Sequence, residues 1–285
     1  MKIEVKQLTK KYNNHHALDN VSFTLNKPKI YGLLGRNGAG KTTFMEILSG
    51  QILASEGSIL IDNEDPFDNQ RLTESICLIK EGGNFKKELK IKEVLKTYSF
   101  FYPTWDQKLA DELIKEYHLN PKAKVKTLSK GMESALGIIV ALASKAPITV
   151  FDEPYIGLDA AARKKFYEVL LEEYEAEKRT IIFSTHLIDE VSLLFEEILI
   201  LQKGKLILHE EADVLRNHTC AVTGTVEQVK QFTKDKEVFQ SKELAGMMTA
   251  YVFGNKEEAK SAGLSVEGVP TQELMIYLTE SKEAV

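Results

Sequence analysis

The sequence predicts an α/β protein with a mainly parallel sheet, an inserted helical subdomain and a small C-terminal α+β domain. Short runs rich in β-branched residues alternate with helical sequence, as in parallel sheets that helices cover on both faces. A charged, helical-looking segment interrupts this alternation at about residues 85–145. The alternation stops after about Leu215, where a shorter strand-helix-strand pattern begins.

These observations divide the chain into two predicted domains, residues 1–215 and residues 216–285. The β-like runs assigned to the parallel sheet are residues 30–34, 59–61, 148–151, 180–183 and 198–201. The second domain contains the segments CAVTGTVEQVKQF and AYVFG, followed by the helix-like TQELMIYL that Pro270 introduces. It is predicted as a small accessory domain.

Composition narrows the class of protein. The chain has 285 residues and is 43% hydrophobic, which is enough for a sizeable core. Its net charge of -5 argues against a nucleic-acid-binding protein, which usually needs a basic face. The two cysteines, Cys77 and Cys220, lie in unrelated patterns. We therefore expect neither a disulfide framework nor a metal knuckle, and a reducing cytosol suits the chain.

No segment has the length and apolarity of a membrane span. The longest apolar stretch, residues 135–143, is about half of the roughly 20 residues that cross a bilayer, and it predicts a buried helix. The N-terminal sequence MKIEVKQLTKKY lacks the apolar centre of a signal peptide. We expect a cytoplasmic protein, and other chains must span the membrane if it acts there.

The first element with recognisable chemistry is the loop GRNGAGKTT, between the strand-like residues 30–34 and a helix-like run. Glycines at this spacing let backbone N–H groups wrap an anion at a helix N-terminus, which predicts a nucleoside triphosphate site. Lys41 would reach the outer phosphates, the Thr42 hydroxyl would ligate Mg²⁺ and Thr43 would contact the phosphates. The other candidate phosphate-binding residues of the loop are Gly35, Asn37, Gly38 and Gly40.

Two adjacent acids follow the apolar run of residues 148–151. Asp152 lies where the second carboxylate of a P-loop enzyme holds Mg²⁺ through water, and Glu153 comes directly after it. Glu153 is the candidate general base that orients and polarises the attacking water.

Other motifs select among the enzymes that share this loop. A GTPase needs an NKxD sequence, which neither Asn26-Lys27-Pro28-Lys29 nor Asn255-Lys256-Glu257-Glu258 supplies. A small nucleoside kinase would not need the ordered set of LSKGM at residues 128–132, VFDEP, GLD at residues 157–159 and STH at residues 184–186. Over residues 3–216 this set resembles the ATP-binding cassette (ABC) family, whose fold is a P-loop NTPase core.

The resemblance assigns further residues to the nucleotide. Tyr12 matches the aromatic residue that stacks on adenine, whereas His15 and His16 are expected to be exposed turn residues. Ser129 and Gly131 match the signature that contacts the γ-phosphate held by the opposite protomer, although Lys130 and Met132 depart from the usual LSGGQ. Asp159 matches the loop at the dimer interface, and His186 matches the histidine that contacts the γ-phosphate. A lone chain then has no complete site, and ATP joins two protomers.

The segment SICLIKEGGNF departs from the family, which has a glutamine here that touches Mg²⁺ and the water and relays movement of the membrane subunits. Alignment places Glu81 at that position, so Glu81 becomes a candidate nucleotide and metal ligand, and a shift of one residue would select Lys80. A carboxylate oxygen can ligate Mg²⁺ as an amide oxygen can, but it adds negative charge near the phosphates.

The resemblance implies the ATP-binding and ATP-hydrolysing subunit of a bacterial ABC transporter, with ATP and Mg²⁺ as cofactors. Its partners would be membrane-spanning subunits and a second ATPase subunit, in a homodimer or heterodimer, on the inner face of the cell membrane. The sequence does not match two other classes of the family. A chromosome or repair ATPase needs a long coiled coil and a translation-factor type carries two cassettes, whereas this sequence has a short insertion and one cassette. The KEGGNF-type sequence is similar to exporter ATPases of GntR-regulated operons and of the phenol-soluble modulin exporter. A soluble regulatory or repair ATPase is the alternative.

Overall fold

The computed structural model describes residues 1–280, and its centre is a six-stranded sheet in the order β5-β6-β7-β3-β8-β9. The first five strands in this order are parallel, and only β9 runs antiparallel to its neighbour β8. The strands are β3 (Ile30–Leu34), β5 (Ile76–Ile79), β6 (Ile148–Asp152), β7 (Thr180–Ser184), β8 (Glu197–Gln202) and β9 (Lys205–Glu211). Every residue of β3, β6 and β7 is buried, as expected for parallel strands covered on both faces. The predicted α/β fold class with a mainly parallel sheet is confirmed.

A second sheet has three antiparallel strands, β2 (His15–Leu25), β1 (Ile3–Tyr12) and β4 (Glu56–Ile61), in that order. Its apolar face packs with α1 (Lys41–Leu48) against the parallel sheet in one core cluster. The assignment of residues 59–61 to the parallel sheet was wrong, because β4 pairs antiparallel with β1 and places Ile61 opposite Ile3. An apolar run of three residues carries no information on strand direction.

The predicted helical insertion at about residues 85–145 is made of three helices and one short 3₁₀ turn. They are α3 (Ile91–Phe101), α4 (Gln107–Glu116), the turn Val125–Thr127 and α5 (Lys130–Ser144). Helix α5 is buried along nearly its whole length, as expected from its apolar sequence. The Ser129 side chain caps its first turn, and Lys145 ends it in the left-handed conformation.

Four further helices surround the sheet. They are α2 (Gln70–Thr73), α6 (Ala160–Ala176), α7 (Ile188–Val191), which continues into the 3₁₀ turn Ser192–Leu194, and α8 (Ala212–His218). None of the helices in the described part of the chain is long and apolar enough to cross a membrane.

The remaining elements form a four-stranded antiparallel sheet in the order β11-β12-β10-β13. In chain order they are β10 (Thr219–Thr225), α9 (Val226–Thr233), β11 (Val238–Leu244), β12 (Met247–Phe253), α10 (Lys256–Ser261) and β13 (Ser265–Gly268). This βαββαβ connection is the ferredoxin-like arrangement. One face of the sheet forms a small core with α9 and α10.

The other face of this sheet meets the last helix, α11 (Thr271–Glu280). Tyr277 packs on Tyr251 of β12, with ring centroids 4.5 Å apart. Leu274 and Leu278 of α11 belong to the main core cluster, together with Ile188 and Val191 of α7. The predicted boundary at residues 215 and 216 falls inside α8, and the division into two domains stays a prediction.

Candidate active site

The GRNGAGKTT loop joins β3 to α1 through glycines that no other residue could replace. Gly35 and Gly40 have φ values of +151° and +103°, and a Cβ on either would lie within 2.4 Å of a backbone oxygen. The loop is therefore packed closely against the backbone of β8 at Leu201 and of β2 at Ala17. Helix α1 begins at Lys41, so its free N–H groups and the positive end of its dipole face the loop.

The loop opens on a cavity of about 480 Å³ that contains most of the predicted nucleotide-binding residues. They are Tyr12, Asn37, Gly38, Gly40, Lys41, Thr42, Thr43, Glu81, Asp152 and Glu153. Gly35 lies behind them, where its carbonyl accepts a hydrogen bond of 2.7 Å from Lys41 Nζ. His15 also lines the cavity, and His15 and His16 open strand β2, so the expectation that both are turn residues was wrong. Their strand conformation follows from pairing with β1, where His15 lies opposite Tyr12.

Thr42 and Asp152 lie side by side in this cavity. The Thr42 hydroxyl donates a 2.6 Å hydrogen bond to Asp152 Oδ2, and the aspartate is buried at the end of β6. Hydroxyl and carboxylate oxygens are the ligands that Mg²⁺ prefers, and Mg²⁺ usually takes one or two protein ligands and completes its shell with phosphates and water. The pair fits the predicted Mg²⁺ ligands, and a bound ion would neutralise phosphate charge there.

Lys41 is buried at the same point. Burial holds the pKa of Lys41 below its ordinary value, and the nearby carboxylates of Glu153 and Asp152 oppose this decrease. Its ammonium donates hydrogen bonds to two backbone carbonyls, Gly35 O and Arg36 O. A phosphate oxygen is a stronger, charge-assisted acceptor for the same group.

Glu153 and His186 meet at the ends of β6 and β7. His186 Nδ1 lies 2.7 Å from Glu153 Oε2, and Glu153 has a φ of +51°, which is uncommon outside glycine. The buried Tyr155 hydroxyl also contacts Glu153 Oε2. Sequence reasoning missed Tyr155, although a tyrosine two residues after the candidate base in VFDEPY was a usable signal.

Ser129, Gly131 and Asp159 do not line the cavity on their own chain. Ser129 caps α5 and Asp159 caps α6, and both are exposed. Gly131 packs closely on the loop before α6, since a Cβ there would lie 2.3 Å from Gly157 O. These three residues therefore lie outside the cavity lining of their own chain.

The structure distinguishes the two alignments of the SICLIKEGGNF segment. Glu81 lines the cavity, and its carboxylate lies 3.1 Å from Lys130 Nζ, next to Ser129. Lys80 turns toward α1, where its ammonium pairs with Glu46 at 3.1 Å. The geometry favours Glu81 over Lys80 as the residue beside the nucleotide site.

Comparisons with known proteins agree with this geometry. The family model described as "ABC transporter" matches residues 18–156. The chain is 28% identical to the ABC transporter ATP-binding protein YtrB of Bacillus subtilis, over 75% of this chain and 73% of that protein. It is 32% identical to the lantibiotic transport ATP-binding protein SrtF of Streptococcus pyogenes, over 75% of this chain and 93% of that protein.

A solved structure extends the likeness to three dimensions. The dimeric ATP-binding cassette MJ0796, in a post-hydrolysis state bound to ADP and Pi, is 26% identical and has a TM-score of 0.66. The match covers 74% of this chain and 98% of that cassette. Together with the fold and the cavity, these comparisons show that the chain belongs to the ABC transporter family and is one of its ATP-hydrolysing ATP-binding proteins.

Proposed function

We propose that this chain is the ATPase subunit of a bacterial ABC transporter, in which ATP closes a dimer of cassettes and drives membrane-spanning partner subunits. The observation that carries the proposal is the separation of the two halves of the site. Lys41, Thr42, Asp152 and Glu153 face one cavity, whereas Ser129 and Asp159 are exposed and do not line it. A second cassette, identical or related, would bring its own signature surface to this cavity.

A second cavity supports the proposal that a membrane-spanning subunit binds this chain. It has a volume of about 530 Å³ and lies between α3, the loop that precedes it and the end of α2. Its lining is largely aromatic and aliphatic, including Phe85, Leu89, Tyr98 and Phe101. Asn84, three residues after Glu81, lines this cavity. Its side chain also fixes the intervening loop through two hydrogen bonds to the backbone of Lys80. A partner helix seated here could displace Glu81 directly.

Our proposal for the cargo and the direction of transport is export of peptides or toxic compounds. It is supported by the KEGGNF-type sequence, which resembles exporter ATPases, and by the 32% identity to SrtF, a protein named for lantibiotic transport. We propose further that the protein binds to the inner face of the membrane only through its partner subunits.

Purification with the product of the neighbouring membrane-protein gene tests the proposal. The complex in lipid should hydrolyse ATP faster when cargo is added. Phe101→Asp, which places a charge in the second cavity, should lose most of this stimulation. Leu244→Asp is the matched control, because Leu244 is equally apolar and exposed but lies on β11, and it should keep the parent rates. An ATPase that no membrane subunit stimulates would favour the soluble regulatory or repair alternative.

A further inference from the structure

The phenol of Tyr155 is buried between the ends of β6 and β7, next to the two residues assigned to water activation. Its ring stacks on Phe183, with the ring planes 12° apart, and meets the His186 ring at 5.7 Å. Its hydroxyl does not line the nucleotide cavity. The ring is therefore fixed by packing, and its hydroxyl points at the rear of the hydrolytic residues.

The hydrogen bonds of this hydroxyl can be assigned from its neighbours. A phenol oxygen has one proton to donate and can accept two hydrogen bonds. The His186 backbone N–H donates to it at 3.1 Å, and the Thr185 hydroxyl lies at 2.5 Å. The Glu153 carboxylate can only accept, so the phenol proton goes to Glu153 Oε2. The Thr185 hydroxyl, which accepts from Leu187 N–H at 2.8 Å, donates its own proton to Tyr155. His186 Nδ1, 3.4 Å from the phenol oxygen, directs its proton to Glu153 Oε2 at 2.7 Å and cannot accept the phenol proton.

This assignment anchors one oxygen of the Glu153 carboxylate from two sides. Tyr155 and His186 Nδ1 both contact Oε2, which leaves the lone pairs of Oε1 for a water molecule in the cavity. Burial, followed by the hydrogen bond to Glu153, raises the pKa of Tyr155 well above its ordinary value, so the phenol keeps its proton at physiological pH. A carboxylate with one fixed oxygen loses little orientational freedom when the water arrives.

We propose that Tyr155 is a positioning residue for ATP hydrolysis, which holds the Glu153 carboxylate beside His186 and ties both to Thr185 at the end of β7. This inference rests on the proposed role of Glu153 as general base. It assigns Tyr155 no contact with ATP. Removal of the hydroxyl should therefore lower the rate of hydrolysis and leave nucleotide binding nearly unchanged.

Tyr155→Phe tests the proposal in the full chain. We expect kcat to fall about tenfold, while KM and the Kd of a fluorescent ATP analogue stay within about twofold of the parent values. Rates are expressed per bound analogue, so partial unfolding does not imitate a slow enzyme. Tyr167→Phe is the matched control, since the Tyr167 hydroxyl is buried in the same aromatic layer without a hydrogen-bond partner among the described residues. It should keep the parent kcat.

The same substitution in a variant that lacks the base distinguishes a positioning role of Tyr155 from a general effect on the structure. In Glu153→Gln, where the base is absent, Tyr155→Phe should change the residual single-turnover rate by less than about twofold, because the two residues act as one unit. An equal loss in both backgrounds, or an unchanged kcat in Tyr155→Phe alone, would overturn the proposal. If Glu153→Gln itself hydrolyses ATP at the parent rate, the general-base assignment fails instead.

Discussion

Lys41 and Glu153 face the same cavity with side chains of opposite charge, and their surroundings suit different tasks. Lys41 lies at the start of α1, where backbone N–H groups and a helix dipole already favour an anion. Glu153 is held at the far side by Tyr155 and His186. Phosphate binding and water activation can therefore be removed separately.

We expect Lys41→Ala to abolish productive nucleotide binding, because it removes the only cation in the cavity lining of the described chain. Glu153→Gln should bind ATP normally, lose about 10²–10⁴-fold of the hydrolysis rate and accumulate as an ATP-bound dimer. Equilibrium binding of ATP and size-exclusion chromatography with ATP and Mg²⁺ measure these outcomes. A Glu153→Gln protein that stays monomeric with ATP bound would contradict the shared-site proposal.

Glu81 gives a second residue-level prediction. Glu81→Gln should keep ATP hydrolysis within about tenfold and lessen the Mg²⁺ dependence of ATP affinity, because it removes a negative charge from beside the phosphates. Glu81→Ala should mainly uncouple hydrolysis from the membrane partner. Titrations of ATP with and without Mg²⁺ measure the first effect, and Glu88→Gln, an exposed acid a few residues further on, is the control. Unchanged Mg²⁺ dependence together with normal coupling would make Glu81 an ordinary surface acid.

Most of the candidate site could be predicted from the sequence because its residues lie in short, contiguous motifs. The spacing of Gly35, Gly40 and Lys41 determines a loop that can fold in few ways. Tyr155 and His15 were missed for a different reason. VFDEPY indicated a tyrosine near the base, but the contact of its hydroxyl with Thr185 joins positions 30 residues apart, and the place of His15 in the cavity depends on its pairing with Tyr12.

At the scale of the elements, the β8–β9 hairpin closes one edge of the parallel sheet and carries a partly buried ion pair. Glu197 of β8 accepts hydrogen bonds from Lys29 Nζ at 2.6 Å and from His209 Nε2 at 2.9 Å. Burial alone would raise the pKa of Glu197, but these hydrogen bonds outweigh burial and hold the pKa below its ordinary value. A lowered carboxyl pKa stabilises the fold above the pKa of the unfolded chain, and this contribution is lost as the pH falls.

Glu197→Gln should therefore lower the melting temperature at pH 7 by a few degrees, corresponding to about 1 kcal/mol of unfolding free energy. The difference from the parent should shrink as the pH falls below the ordinary carboxyl pKa, because the parent then loses the same charge. Thermal melts between pH 7 and pH 3 measure this. Glu210→Gln, an exposed acid of β9 opposite Ile198, should show no such pH-dependent difference.

β5 was not assigned from its four residues, but the other four parallel strands were predictable because burial on both faces gives them continuous apolar runs, as in residues 148–151. The direction of β4 was not, because it depends on pairing with β1 more than 50 residues earlier in the chain. The ferredoxin-like strand order after α8 was also beyond local patterns. The sequence indicated β10, α9, β12 and α11 but carried no signal that β10 lies between β12 and β13.

At the scale of the whole molecule, the C-terminal sheet is joined to the cassette by more than the chain itself. Helix α11 lies between this sheet and α7, the short helix that follows His186. All predicted phosphate and magnesium ligands precede α8, so we expect a chain without the second domain to fold and bind ATP. The truncated chain would lose the contact between α11 and α7, so we expect it to be less stable than the parent.

A chain that ends at His218 should bind ATP but melt several degrees below the parent, because Ile188 and Val191 lose their cover of Leu274 and Leu278. Differential scanning fluorimetry with and without ATP measures both properties. Leu274→Ala should reproduce much of the loss in the full chain, whereas Leu264→Ala, in the separate small core, should destabilise without altering ATP affinity. A truncated chain that cannot bind ATP would show that both parts share one folding unit.

The packing of α11 on α7 also sets a constraint on biosynthesis. On a ribosome that adds about 5–20 residues per second, the segment from α7 to α11 takes on the order of 4–17 s to synthesise. During that interval the apolar side chains of α7 emerge from the ribosome before the helix that covers them has been synthesised. We expect the nascent chain to bind trigger-factor-type chaperones at this surface, and to release them once α11 has emerged.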